Sequence, residues 1–179
     1  MNLGSTAVSL GGITLGTTIL VLVIQRWWKK GGGGKKNDDG AGRDWKQLIP
    51  FTAALAYGIL AVLAAGPISA LGLVTRLGLW SGDGIGTLYL VYGIGGSSPD
   101  VTRAAPVVLT AGGYCVFAIW TAVLIGQHLW SKRLPRLQSG LGVLAGVLLG
   151  LSRGVAGTAA VPLASLVNVA GAWYAGVVQ

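Results

Sequence analysis

Glutamate is absent from this 179-residue chain, and histidine and cysteine each occur once, as His128 and Cys115. The five acidic residues are therefore all aspartates, and only 10% of the chain is charged. Each scarcity excludes something. A single cysteine cannot form an intramolecular disulfide. One cysteine and one histidine do not make a metal centre without ligands from elsewhere, so no metal or other cofactor is expected. A serine or threonine nucleophile needs a base, and His128 lies at the edge of an apolar run, so no catalytic constellation forms and no enzyme is expected. Coupled transporters, pumps and intramembrane proteases rely on buried carboxylates, histidines or metal ligands, and the apolar segments here carry almost none. Soluble domains carry about 25% charged residues, so this chain is too poor in charge to cover a water-facing surface.

What is abundant is apolar sequence and glycine: 53% hydrophobic residues, 31 glycines and a mean hydropathy of +0.69. The pattern predicts an all-α integral membrane protein, a polytopic bundle of four or five transmembrane helices with a glycine-rich packing face. Residues 1–25 carry no charge, and Leu3 to Ile24 suffices to span about 30 Å of hydrocarbon. This first transmembrane helix, with its N-terminus outside, ends in the surface anchor Arg26, Trp27, Trp28, Lys29 and Lys30. Gly12 and Gly16 add a small-xxx-small pair.

Residues 26–47 form a basic, glycine-rich cytoplasmic loop. Residues 48–73 form a second span with Pro50 in its first turn, where a missing N–H costs little. Residues 74–104 hold apolar pieces too short to cross alone, broken by SGDG and SSPD, and read as an extracytoplasmic interfacial or re-entrant region. A third span, 105–126, opens with Pro106 and leads into a basic cytoplasmic loop, 127–138, anchored by Trp130, Lys132 and Arg133. Residues 139–179 are too long for one crossing and are expected to fold as a hydrophobic hairpin. The preferred division is a helix from Ser139 to about Ala160 and a second from Pro162 to Val178. The alternative places the turn at Arg153-Gly154.

The formal charge of +8 suggests nucleic acid until its placement is read. Seven of the thirteen basic residues fall between Arg26 and Lys46, and three more between Lys132 and Arg136. Clusters bordering apolar spans orient a membrane protein, placing both loops in the cytoplasm against anionic lipid head groups, and nucleic acid is not an expected partner. The GGGGKK run lacks the GK[ST] ending of a phosphate loop.

The segment GVLAGVLLGLSRG spaces Gly142, Gly146, Gly150 and Gly154 four apart, which on a helix opens a groove along one side. In lipid, close backbone approach is a main source of helix association, so the groove points to self-association or to a partner helix. Arg153, the one deep charge, and Asn168 are candidates for a lumen or partner contact, with interhelical hydrogen bonding the preferred role of Asn168. In size, span number and basic loops the chain resembles, in type only, holins and the spread proteins of conjugative plasmids, small membrane proteins of phages and bacterial plasmids. The glycine row, small size, absence of catalytic residues and lone Arg153 lead to the expectation of an oligomeric, pore-forming protein of the cell membrane. The competing expectation is a non-conducting accessory or scaffold subunit, and a small-solute channel or transporter ranks third.

Overall fold

The computed structural model describes residues 8–30, 48–64, 69–101, 108–130, 136–150, 152 and 154–178. Six α-helices account for most of them: α1 (Leu10–Lys30), α2 (Ile49–Ala64), α3 (Ala70–Leu88), α4 (Ala111–Trp130), α5 (Arg136–Gly150) and α6 (Val155–Val178). One two-residue antiparallel pair joins β1 (Val8–Ser9) to β2 (Asp100–Val101), in the register Val8 to Val101. Two helical stretches, Leu10–Lys29 and Thr158–Val178, are long and apolar enough to cross a membrane. Only 17% of each is buried, unlike the core helix of a soluble protein.

Hydroxyl caps set three of the helix starts. Ser9, Ser69 and Thr110 accept from the backbone N–H of Gly12 (3.2 Å), Gly72 (3.0 Å) and Gly113 (3.1 Å). These caps explain where the expected boundaries moved. The first helix starts at Leu10 rather than Leu3 and runs through Trp27, Trp28, Lys29 and Lys30, so the anchor rides on its last two turns. The expected 48–73 span is two elements: α2 stops at Ala64, and Ser69 caps a separate α3. The third span starts at Ala111, after the Thr110 cap, and continues to Trp130; Pro106 lies outside the described residues.

The region 74–104 departs most from expectation. SGDG does not break it: α3 runs unbroken to Leu88, through a π-helical turn over Tyr89–Gly93. It then closes on Gly95, whose φ of 79° is the left-handed value that favours glycine at a helix end. The N–H groups of Gly95 and Gly96 donate there to the carbonyls of Val91 (3.1 Å) and Leu90 (3.0 Å).

The preferred division of 139–179 is also corrected. The break falls after Gly150, close to the alternative turn, and Pro162 sits inside α6 rather than at its start. Ser152 N–H and Oγ both donate to the Leu149 carbonyl (3.1 and 3.0 Å), satisfying an end of α5 that a continuing helix would have used. Pro162 removes one backbone donor from α6, which nevertheless continues through it to Val178. Nor do α5 and α6 form a hairpin, since α5 lies chiefly along α2 and α1 while α6 lies chiefly along α4.

Helix α2 is the centre of the molecule, with Phe51, Ala54 and every residue from Tyr57 to Ala64 buried. It runs parallel to α5, meeting it from Phe51 beside Gly142 to Ile59 beside Gly150. It runs antiparallel to α4, with Tyr57 beside Phe117 and Thr121, and the Tyr114 hydroxyl donating to the Ala64 carbonyl (3.3 Å). Helix α1 is antiparallel to α3, Gly11 meeting Gly86 and Gly12 meeting Asp83. Two apolar clusters result, one around Leu148, Ile59 and Leu79, the other around Leu60, Phe117 and Val167.

Candidate functional site: glycine crossings and a basic end

The glycine row is occupied by the chain's own α2. A Cβ on Gly142 would stand 2.9 Å from the Phe51 carbonyl oxygen and 3.0 Å from the Ala54 Cβ. One on Gly146 would collide with the Leu55 carbonyl oxygen and stand 3.0 Å from the Gly58 Cα. One on Gly150 would stand 2.9 Å from the Ile59 Cα. Gly58 returns the contact, since a Cβ added there would stand 3.1 Å from the Gly146 Cα, so two glycines face one another where the helices cross. Real Cβ atoms do not approach backbone this closely, and the missing side chains are what allow the contact. Gly154 is not part of the groove: it lies in the turn before α6, with nothing within 4 Å of its Cβ position.

Two further crossings of the same kind escaped the sequence reading. Gly11 on α1 faces Gly86 on α3, where an added Cβ would stand 2.6 Å from the Gly86 carbonyl carbon, and Gly112 on α4 faces Gly171 on α6, where an added Cβ would stand 2.5 Å from the Gly171 carbonyl oxygen. Gly82 and Gly86 share the four-residue spacing, but within SGDGIG it resembled a break. Gly112 and Gly171 each stand without a fourth-residue glycine partner, so pattern alone could not find them. Gly12 and Gly16 serve α1 differently, against the Asp83 side chain and against Leu148 and Leu149.

Hydrogen bonds lock two of the crossings. Beside Gly11 and Gly86, Asp83 Oδ1 accepts from the Ser9 N–H (2.8 Å) and from the Ser9 hydroxyl, which also meets Thr87 Oγ1 at 3.0 Å. Ser98 Oγ accepts from the Gly11 N–H (3.1 Å), and the Pro99 carbonyl accepts from the Leu10 N–H (2.9 Å). Beside Gly112 and Gly171, Asn168 Oδ1 accepts from the Thr110 N–H (2.9 Å) and hydroxyl (3.2 Å). Asn168 on α6 thus braces the residue that caps α4. Among the described residues no buried side-chain N or O lacks a partner.

The anchor residues gather at one end. Helices α1 and α4 finish there and α2, α3 and α5 begin there, as their mutual directions require. Arg26, Trp28 and Lys29 are exposed and Trp27 is partly so. Trp130 and Lys30 are terminal residues of their helices, while Lys132, Arg133 and Arg153 lie outside the described residues. The two described aspartates, Asp83 and Asp100, lie at the opposite end with Ser9.

Between α2, α3, α4 and α5, toward the basic end, a crevice of about 380 Å³ opens. Its inner wall carries Tyr57, stacked on Phe117 (5.1 Å between centroids, 17°), edge-on to Trp120 and hydrogen-bonded through its hydroxyl to Thr121 (2.9 Å). No group of three or more metal-ligating side chains forms among the described residues, and Cys115 is exposed on α4. The arrangement is suited to holding helices together and to accepting apolar material. No known protein family, curated protein or solved structure matches this chain.

Proposed function

We propose that this chain is a polytopic integral membrane protein with its N-terminus outside, acting as a non-conducting scaffold or accessory subunit of a membrane complex. The observation that carries this reading is the filled glycine row: the groove that suggested self-assembly into a pore already holds α2. The outward faces of the long helices are apolar, with Val21, Leu22 and Ile24 on α1 and Leu166, Val169, Trp173 and Val177 on α6. Such faces suit lipid or another protein's helix and offer no charged stripe to line a pore.

Direction and charge support the topology. Helices α1, α2, α4 and α5 point alternately toward and away from the basic end, as successive crossings do. The basic end faces the cytoplasm on the positive-inside rule, and the Asp83 end faces outward. Helices α2 and α5, with 16 and 15 residues, are short for a core of about 30 Å, a mismatch that local thinning absorbs at modest cost. Helix α3 runs in the sense of α2 and carries Arg76 and Asp83, so it is not counted as a crossing.

Reconstitution tests the reading. Purified protein in liposomes should stay in the membrane through an alkaline carbonate wash and leave an entrapped small dye inside. Dye release at low protein-to-lipid ratio would restore the pore and reject the scaffold.

A further inference from the structure

We propose that the crevice between α2, α3, α4 and α5 binds an uncharged long-chain alcohol, whose hydroxyl donates to the Tyr57–Thr121 pair. The site depends on the walls of the crevice alone and stands apart from the scaffold role proposed above. At about 30 Å³ for each water-sized group, the crevice's volume of about 380 Å³ has room for roughly a dozen non-hydrogen atoms. Pro50 and Ala54 on α2, Leu71 and Val74 on α3 and Leu124 on α4 give it apolar walls. None of the described residues lining it is charged. An ionised guest would leave water with no counter-charge to meet it, so the crevice selects a neutral one.

The polar pair sets the second requirement. Thr121 Oγ1 donates its one hydrogen to the Phe117 carbonyl (2.8 Å). The 2.9 Å bond between Tyr57 and Thr121 therefore runs from the phenol to the threonine oxygen. Both hydroxyl hydrogens are spent within the protein, while both oxygens keep the capacity to accept. Tyr57 is buried, and its stack on Phe117 and edge contact with Trp120 hold the ring in place. A guest can thus donate at this pair but cannot accept from it. An alcohol meets that condition, a hydrocarbon leaves it unused, and an ether sets oxygen against oxygen. Water could also donate, but it needs several polar partners. The other polar lining residues, Gln127 and Ser139, lie near the end of α4 and the start of α5.

The test is photolabelling of the full chain, in phosphatidylcholine nanodiscs, with a dodecanol that carries a diazirine at mid-chain. Label should map to the segments of α2, α3 and α4 that line the crevice. Unlabelled 1-dodecanol should compete about fivefold better than dodecane, the factor expected of one neutral hydrogen bond. Dodecyl methyl ether, which keeps the oxygen but not its hydrogen, and ionised dodecanoate should compete no better than dodecane. Tyr57→Phe combined with Thr121→Val removes both acceptors at nearly constant shape, a paired change that is close to neutral for folding. That variant should still take the label but lose the fivefold preference. Ile125→Trp and Gly140→Phe fill the crevice from two helices, and a Cβ at Gly140 meets nothing within 4 Å. Each should lose the label while keeping the wild-type unfolding midpoint. Competition by the ether equal to that by the alcohol, a preference that survives the double variant, or label that persists in both filled variants would overturn the site. Absence of label from the wild-type crevice would also overturn it, and would leave the scaffold reading to the dye-retention test.

Discussion

At Gly146 the missing side chain leaves room for a carbonyl. The Leu55 oxygen occupies the place of a Cβ, and backbone cannot swing away as a side chain can. Gly146→Ala should therefore destabilise the protein despite a gain of about 1 kcal/mol in helix propensity, since overpacking costs about 1–3 kcal/mol and more where backbone must move. Gly154→Ala, in open space and at ordinary φ, should change stability by no more than about 0.5 kcal/mol. Thermal unfolding in mild detergent distinguishes them, and equal midpoints would mean that α2 does not fill the groove. Gly146→Leu should disrupt packing more than Ala172→Leu on the exposed side of α6.

At the scale of elements, α3 shows how tertiary contact overrides a local signal. Glycines at 82, 84 and 86 should each weaken a helix by about 1 kcal/mol relative to alanine, and SGDG reads as a turn. The helix continues because two of the three face neighbours: Gly82 receives Leu148 and Gly86 receives α1. Asp83, between them, ties Ser9 down, so the residue that seemed to mark a surface loop anchors two helices. Asp83→Ala leaves the Ser9 donors without that acceptor, a loss of about 1–3 kcal/mol for a buried donor. Faster amide exchange over residues 10–12, with α4 and α6 unchanged, is the expected result. Uniform acceleration throughout the chain would show that Asp83 is not a local tie.

For the whole molecule, the gathering of Arg26, Lys29 and Lys30 at the end of α1, opposite Ser98, makes a topological prediction. On a Cys115→Ala background, Lys29→Cys and Ser98→Cys lie at opposite ends and should react with a membrane-impermeant maleimide from opposite sides, Ser98→Cys from outside. Labelling of both from one side would reject the orientation and the alternating crossings with it. In the same experiment Trp173→Cys, exposed on α6, should be shielded by lipid or a partner helix and react slowly if at all.

The sequence by itself carried the all-helical class and two helices apolar enough to cross a membrane, and its basic clusters fall at the helix ends that meet at one end. It also held the helix starts, because Ser9, Ser69 and Thr110 cap through their own side chains, although the apolar runs drew attention away from them. The groove on α5 was legible because four-residue spacing is a property of one helix. What fills a groove is a property of two helices, and only the tertiary structure decided that Gly146 meets Gly58 and that Gly11 and Gly112 find Gly86 and Gly171. The break after Gly150 and the helical proline at Pro162 were decided in the same way. Both depend on where hydrogen bonds and packing can be completed, and a pattern of apolar residues does not carry that information.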